Sequence, residues 1–421
     1  MASAAARPRI FSSHFMPARE QTWQQRSSED PVGRRRGAAS HDNNAPMTEV
    51  ADRHWRTSAV AAAAAVLCLG AASAPPHPLP FHISSQRGSC ANCRTAQGIE
   101  EVRLHDGRAV WGLGYNPPGE IGAGDWTILR SGDGGRSWRE LPWSYEHNDA
   151  PLLSFAAAWD GWTKVFDMSH AESAIRVTND GGLHWRRLPF RNLFVGAIQY
   201  VGHGVGLFST FSPYDPHAYL YATANNGRSW RKTELPRRFD LQALAFVNVT
   251  KGFIAGCRDG NLTVFRTDDG GRGWKATDLE KRPAGTDGCP IEADALRLFP
   301  DGNAWLLAQK HSFRIGDATS FSSIWKSSSD GREWKRVFVA SVTSKANGDV
   351  LMLDGPYPLG SRTVVVFRLD RPTLLYSQDA GASWNEARLP HTLFGCYPAK
   401  GKLTCAGGAG SAFGLAVLTP R

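Results

Sequence analysis

Aspartate is the residue type that recurs most regularly in this sequence at a position where it could do chemistry. Asp133, Asp180, Asp269 and Asp379 each follow a Ser or Thr by two residues and precede a Gly by two and a Trp by five. A carboxylate can bind a cation, transfer a proton or accept N–H bonds inside its own turn. A reactive site needs different residues that meet at one point, whereas these aspartates share one local context. The spacing therefore predicts a set of structural turns.

The same spacing occurs six times when two substitutions are admitted, and we call these segments the repeat turns: 131–138, 178–185, 223–230, 267–274, 327–334 and 377–384. Asn225 and Ser329 replace the aspartate in the third and fifth copies. The closing tryptophans are 47, 45, 44, 60 and 50 residues apart: Trp138, Trp185, Trp230, Trp274, Trp334 and Trp384. A period of about 40–50 residues is the length of one four-stranded propeller blade. Glycine permits the tight reversal, and each tryptophan is expected to open a strand and pack between blades.

These six Ser/Thr-x-Asp-x-Gly-x-x-Trp segments resemble the Asp-box, or bacterial neuraminidase repeat, of β-propellers. The fourth repeat, LAFVNVTKGFIAGCRDGNLTVFRTDDGGRGW, looks most like photosystem II assembly-factor-like propellers. The resemblance covers residues 98–421 and implies repeat turns between the third and fourth strands of each blade, away from the active face. Such repeats occur in sialidases, glucan hydrolases and non-catalytic binders alike, so the resemblance specifies fold and leaves function open.

The strand pattern predicts an all-β protein with one propeller at residues 98–421. Three further strands follow the sixth repeat turn, at 393–398, 402–407 and 411–418. Residues 80–88, inside an N-terminal segment at 75–97, could supply the fourth strand of that blade and close the ring without an open edge. We therefore expect seven four-stranded blades, with six blades and a trailing hairpin as the alternative.

The N-terminal part of the chain has a different composition. Residues 47–74 combine a methionine, two arginines, an apolar run and the small-residue site Ala72-Ser73-Ala74, which is the pattern of a secretory signal peptide. Residues 1–46 are then a disordered leader or an over-extended reading frame. The apolar run is too short for a membrane span, so we expect an exported bacterial protein, periplasmic or secreted, with no stable membrane insertion after cleavage.

Six cysteines remain after the predicted signal, an even number that favours disulfides in an exported protein. A two-residue turn at Lys400-Gly401 places Cys396 opposite Cys405 on neighbouring strands, close enough for a bridge.

The other four cysteines are expected to form two more bridges. Cys257 ends a predicted strand, and Cys289 lies in the loop to the next blade on the same rim. Cys90 and Cys93 remain, and they lack the βαβ context of a redox motif and the following histidine of a haem attachment site. We interpret them as a structural bridge.

The loops opposite the repeat turns are where binding residues are expected. The candidate ligand-face residues there are Arg258, Arg314, Arg371, Tyr214, Asp215 and His217. Sialidase resemblance would imply three arginines on a carboxylate and a tyrosine activated by an acid, for which Tyr357 and Glu292 are candidates. The Phe/Tyr-Arg-Ile-Pro stretch that precedes the first repeat in sialidases is absent here.

Composition narrows the partner class. The formal net charge of +9 falls to +6 when residues 1–74 are removed, since they hold nine of the 48 basic and six of the 39 acidic residues. Basic residues do not cluster with aromatics as nucleic-acid binding requires, and no metal-ligand spacing or cofactor motif is present.

We expect a monomeric, non-catalytic scaffold that binds a protein or glycan, with a glycoside hydrolase as the alternative. Glu120, Glu146, Asp149, Asp167 and Asp215 are the carboxylates that such an enzyme could use.

Overall fold

The computed structural model shows that alternating apolar residues and glycine-rich turns form 28 β-strands. It describes residues 79–94, 96–116, 125–141, 152–167, 172–211, 217–282, 289–299, 301–314, 317–328, 331–344, 351–360, 362–408 and 411–421. These residues contain no α-helix. The predicted leader and signal peptide lie outside the described residues.

Seven antiparallel four-stranded sheets form the blades, and the first strand of the chain, β1 (Phe81–Gln86), belongs to the last of them. Blade 1 contains β2 (Gly98–His105), β3 (Val110–Asn116), β4 (Asp125–Ser131) and β5 (Arg139–Glu140). Blade 2 contains β6 (Leu152–Phe155), β7 (Gly161–Asp167), β8 (Glu172–Thr178) and β9 (Arg186–Arg187). Blade 3 contains β10 (Phe194–Gly202), β11 (Val205–Phe211), β12 (Tyr219–Thr223) and β13 (Arg231–Glu234). Blades 4 and 5 contain β14 (Phe239–Phe246), β15 (Gly252–Arg258), β16 (Asn261–Thr267), β17 (Lys275–Glu280); and β18 (Glu292–Leu298), β19 (Ala304–Arg314), β20 (Asp317–Ser327), β21 (Trp334–Ser344). Blades 6 and 7 contain β22 (Leu353–Pro358), β23 (Val364–Arg368), β24 (Thr373–Ser377), β25 (Asn385–Arg388); and β26 (Phe394–Ala399), β27 (Lys402–Ala406), β28 (Leu415–Pro420), β1.

The seven-bladed propeller is confirmed, and the six-bladed alternative is wrong. The first strand of blades 1 to 6 and β26 of blade 7 are innermost, because these strands contact the corresponding strands of neighbouring blades. In blade 7 the outermost strand comes from the other end of the chain: β1 pairs antiparallel with β28, from Phe81 opposite Pro420 to Gln86 opposite Leu415. The ring is therefore closed by main-chain hydrogen bonds between distant parts of the sequence.

The repeat turns connect the third and fourth strands of blades 1 to 6, as the sequence predicts. Each turn packs against the preceding blade. Gly135, with a φ of 95°, shows why glycine is needed there: an added Cβ would lie 2.3 Å from the Cδ1 atom of Leu415 in blade 7. The turn is thus both a chain reversal and a contact between blades.

The six repeat-turn tryptophans pack into core clusters that two adjacent blades share. Only Trp138 is buried, at 4% exposure, and the other five are half-buried. The expected burial of the tryptophan side chain between blades is therefore complete only for Trp138. Each tryptophan lies at the start of the outermost strand of its blade. One edge of its indole ring therefore faces solvent unless another segment of the chain covers it. In blade 1 that cover is residues 88 and 89, since the main chains of Ser89 and Trp138 are bonded at 2.8 Å.

Blade 5 departs from the other blades because its outer strands are long. β19, β20 and β21 each have 11 residues, whereas β18 pairs with β19 only as far as Gln309. The segment 311–323, which the sequence shows as an insertion in the fifth repeat, thus extends a hairpin beyond the inner strand.

All three expected disulfides are present: Cys396–Cys405, Cys257–Cys289 and Cys90–Cys93. The hairpin register is the predicted one from Ala399 opposite Lys402 to Tyr397 opposite Thr404, and it shifts by one residue between Tyr397 and Phe394, the interval that contains Cys396.

Candidate binding face and central channel

The repeat-turn aspartates are bonded inside their own turns. In the first turn, Asp133 Oδ1 accepts the N–H groups of Arg136 and Ser137 at 3.0 and 2.9 Å, and Ser131 Oγ donates to the same oxygen at 2.8 Å. Ser131 Oγ in turn accepts the N–H of Gly135 at 2.8 Å. Equivalent bonds hold the turns of Asp180, Asp269 and Asp379. Each carboxylate therefore stabilises a reversal within one blade.

The pKa values of these carboxyls reflect the same bonds. Burial opposes the ionisation of Asp133, but the hydrogen bonds from Ser137, Ser131 and Arg136 outweigh it and lower its pKa to about 2. The pKa values of Asp180 and Asp379 are lowered to about 2 in the same way. The Gly273 N–H and the Thr267 hydroxyl lower that of Asp269.

The two substituted turns keep the reversal by other means. Asn225 Oδ1 accepts the N–H of Ser229 at 2.9 Å, and its Nδ2 donates to the hydroxyl of Ser229 at 2.8 Å. Ser329 lies outside the described residues. Beside it, the hydroxyl of Ser328 accepts the N–H of Glu333 at 3.1 Å.

The loops that join second to third strands, and one blade to the next, lie on the side opposite the repeat turns, and we call this side the loop face. Arg258 lies there at the end of β15, 41% exposed, with Nε 3.9 Å from Oδ2 of Asp259. Arg371 lies in the turn after β23, 49% exposed, and its Nε donates to Asp370 at 3.0 Å. His217 precedes β12 and its Nδ1 is 2.7 Å from Oε1 of Glu234.

These three candidate residues lie in blades 4, 6 and 3, and each has a partner within its own blade. The structure therefore brings each of them to the loop face without joining them into one constellation. Tyr214 and Asp215 lie outside the described residues, as do Glu120, Glu146 and Asp149. Arg314 ends β19, and Asp167 ends β7.

A belt of cross-blade hydrogen bonds surrounds the channel. Gln199 of blade 3 bonds both main-chain groups of Phe246 in blade 4, at 2.8 and 3.0 Å. Four other side chains likewise bond a main-chain group of the following blade. The pairs, side chain first, are Ser154 with Tyr200, Gln242 with Ala293, Gln309 with Leu353 and Asp354 with Gly395. Because these partners are main-chain groups of inner strands, the belt fixes the spacing of successive blades.

Five charged or polar side chains of blades 1, 5 and 6 interact by contact or through their electric fields, and we call them the channel cluster: Glu101, Arg103, Arg297, Asp354 and Tyr357. Arg103 and Glu101 form an ion pair at 2.5 Å on β2. The guanidinium of Arg297, on β18 of blade 5, lies 4.4 Å from the centre of the Tyr357 ring in blade 6. Arg297 also interacts electrostatically with Glu101 of blade 1. Blades 5 and 1 are not neighbours in the ring, so this electrostatic interaction acts across the channel.

Burial raises the pKa values of the acids in the cluster. Burial raises the pKa of Asp354, although Arg297 and the hydrogen bonds from Tyr357 and Gly395 oppose that shift. Burial likewise raises the pKa of Glu101 against the effect of Arg103. Burial and the Asp354 carboxylate raise the pKa of Tyr357 well above its usual value. In the structure the Tyr357 hydroxyl donates a hydrogen bond to Asp354, and a raised pKa disfavours the tyrosinate that a nucleophile requires.

The cluster retains some capacity to bind. The Nε–H groups of Arg103 and Arg297 have no acceptor among the described residues, so they can bind water or a ligand in the channel. Of these five residues, the sequence singled out Tyr357 alone, as a partner of Glu292, and the other four were missed. The available signal was charge at positions inside predicted inner strands, as in EEVR at 100–103 and ALR at 295–297.

The described part of the chain contains no helix long and apolar enough to cross a bilayer. Within the same residues, no group of three or more His, Cys, Asp or Glu side chains is arranged to hold a metal ion.

Comparison with known proteins relates the chain to solved propellers. It matches a structure described as YCF48 bound to D1 peptide, with 17% identity, a TM-score of 0.50, and coverage of 81% of this chain and 96% of the other. It also matches polysaccharide lyase Uly1 (8% identity, TM-score 0.48, 80% and 93% coverage) and a GH74 xyloglucanase from Xanthomonas campestris (14%, 0.44, 73% and 47%). No family model and no curated sequence matches the chain. At these identities the likeness establishes the β-propeller fold and nothing finer.

Proposed function

We propose that this protein is an exported, non-catalytic binding scaffold that holds a segment of a partner protein on its loop face. The observation that carries the proposal is the belt of cross-blade hydrogen bonds: among the described residues Gln199, Gln309 and Asp354 use their side chains to bond main-chain groups of the next blade. The propeller described as YCF48 bound to D1 peptide, which covers a similar length of chain, supports a peptide as the bound segment.

The charge of the loop face supports an acidic partner segment. Among the described residues of that face, Arg191 is 64% exposed with one guanidinium nitrogen 3.4 Å from the buried Glu172, and Arg238 is 84% exposed with one nitrogen 3.6 Å from Asp259. Both guanidinium groups keep other N–H donors at the surface. Arg258 and Arg371 add two more partly exposed cations. Exposed arginines bind carboxylates bidentately and raise association rates through long-range attraction.

Export is supported by the three disulfides, because such bonds persist in oxidising compartments. We therefore propose that residues 47–74 are a cleaved signal peptide, that residues 75–97 lead into the ring, and that the mature protein is a monomer. We also propose that the repeat turns are true Asp-box repeats, since their hydrogen bonds recur in five blades.

The test is binding of the mature protein to a library of short synthetic peptides, acidic and neutral, in low and high salt. We expect acidic peptides to bind preferentially and salt to weaken the binding. Arg191→Glu and Arg238→Glu should each abolish that preference. Arg228→Glu is the matched control, because it makes the same charge change in the third repeat turn.

Glycoside hydrolysis is the competing function. A panel of fluorogenic glycosides, sialosides included, should give no turnover above that of heat-denatured protein. Turnover that Arg258→Ala or Arg371→Ala removes would show that the loop face is an active site and would replace the scaffold proposal.

A further inference from the structure

The fourth strand of blade 5, β21, is much longer than the other outermost strands. β21 has 11 residues, whereas β5 and β9 have two, β13 and β25 four, and β17 and β1 six. β21 is also the last strand of its sheet, paired with β20 on one side. Among the described residues no strand pairs with its other side, which is a long edge. At the beginning of that edge the carbonyl of Val337 accepts a hydrogen bond from Trp384 Nε1 at 2.9 Å, so the groups open to pairing are those from Phe338 onward.

An edge strand presents a row of N–H and C=O groups that can pair with another extended chain. Proteins usually protect such edges with short strands, charged residues or proline. β21 carries Lys335 and Arg336 at its start, but the following stretch Val337–Thr343 has neither charge nor proline and is rich in valine. Residues of this type favour extended structure. The edge is therefore suited to pair with an added strand.

A pocket of about 370 Å³ lies at the beginning of the same strand. Trp334, Lys335 and Val337 of β21 form one wall, and the sixth repeat turn at 380–382 forms another. Lys326 also lines it, with Nζ 3.4 Å from the carbonyl oxygen of Ala380. Two ammonium groups against one carboxylate, that of Glu333, make the pocket suitable for an anion.

We propose that β21 binds an extended peptide by strand addition and that the pocket receives the free C-terminal carboxylate of that peptide. The direction follows from the chain: β21 starts at the pocket, so a peptide that ends there runs antiparallel to it. Main-chain bonds supply the affinity in this mode of binding, and pockets supply the selectivity. The site is separate from the loop-face arginines, and neither proposal depends on the other.

The probe is a synthetic peptide of alternating Val and Thr, labelled at its N-terminus, that ends in a free carboxylate. Binding to the full chain is measured by fluorescence anisotropy. We expect the free-acid peptide to bind and the C-terminal amide to bind about fivefold more weakly, because a partly exposed ion pair is worth up to about 1 kcal/mol. A peptide with alternate backbone nitrogens methylated should not bind, because methylation removes the donors that pair with the edge.

Matched variants locate the carboxylate. Lys335→Ala should weaken the free-acid peptide about fivefold and leave the amide unchanged. Lys275→Ala is the control, since Lys275 follows Trp274 at the start of β17 as Lys335 follows Trp334. Equal binding of the methylated and unmethylated peptides, or no binding at all, would overturn the proposal. So would a concentration-dependent dimer that the free-acid peptide fails to dissociate, because a second copy would then occupy the edge.

Discussion

The hydroxyl of Tyr357 donates a 2.6 Å hydrogen bond to Oδ1 of Asp354, three residues earlier on the same inner strand. The same hydroxyl accepts the N–H of Cys396 at 3.3 Å, and Asp354 Oδ2 accepts the N–H of Gly395 at 2.9 Å. The pair thus joins blade 6 to blade 7 at the channel. Its bonds are structural, although a tyrosine beside an acid is also the arrangement of an activated nucleophile.

Tyr357→Phe tests which role the pair has. Loss of the two hydrogen bonds made by this hydroxyl should lower the free energy of unfolding by about 1–3 kcal/mol, while peptide binding at the loop face stays unchanged. Urea denaturation and a peptide-binding assay measure the two quantities. Unchanged stability together with lost binding would assign the hydroxyl to a ligand site.

Asp133→Ala should destabilise the protein by about 1–2 kcal/mol, because it removes the acceptor of several turn bonds. Asp133→Asn should cost less, since Asn225 maintains the equivalent turn in blade 3. Thermal unfolding of both variants makes the comparison. Equal losses would contradict the hydrogen-bond account.

Acid should destabilise the propeller through the repeat turns. The pKa values of Asp133, Asp180 and Asp379 are about 2 in the folded state against 3.8 as the ordinary value. A lowered pKa contributes stability that is present above pH 3.8 and is lost as the pH falls through about 2. Unfolding midpoints measured across that range should fall steeply for the wild type and less steeply for Asp133→Asn.

Glu100 should have the opposite effect on the pH dependence of stability, because its contribution is lost as the pH rises. Burial, and then the charge of Glu101, raise its pKa from 4.5 to about 6. The folded state therefore holds this proton more tightly than the unfolded state, and the associated stability is full below pH 4.5 and lost as the pH rises through about 6. Glu100→Gln should reduce the decline in stability between these pH values. A wild-type pH profile that the substitution leaves unaltered would contradict the raised pKa.

The repeat-turn tryptophans Trp138 and Trp274 should differ in how much they contribute to the free energy of unfolding. Trp138→Ala should cost about 3–5 kcal/mol, because the ring is buried between blades 7 and 1. Trp274→Ala should cost less, because Trp274 is half-buried at the edge of its cluster. Chemical denaturation of the two variants ranks them, and equal costs would show that burial does not determine the difference.

Features encoded within a few residues could be predicted from the sequence. The repeat turns need only a hydroxyl, a carboxylate, a glycine and a tryptophan within eight residues, and the Cys396–Cys405 bridge follows from the register of one hairpin. The length of the repeat predicted six blades, and the seventh followed from three strands after the sixth repeat turn together with the strand-like segment at 80–88.

The channel cluster could not be predicted in this way. Glu101 and Arg297 lie in different blades, and they come together only when the curvature of the whole ring is set. Strand order predicted the loops in which Arg258, Arg371 and His217 lie, but local pairs such as Arg258 with Asp259 depend on a single turn. Sequence order identifies the face of a propeller more readily than the partners of its side chains.

The pairing of β1 with β28 also has a consequence for how the chain reaches its final form. The ribosome makes β1 first and β28 last, so β1 must wait unpaired while all six intervening blades are synthesised. Blades 1 to 6 can each form from contiguous sequence as they emerge, but ring closure is a late, long-range event of the kind that slows folding. A permuted gene that places residues 79–97 after residue 421 would deliver both strands of the closing pair together, and refolding should then lose its slowest step.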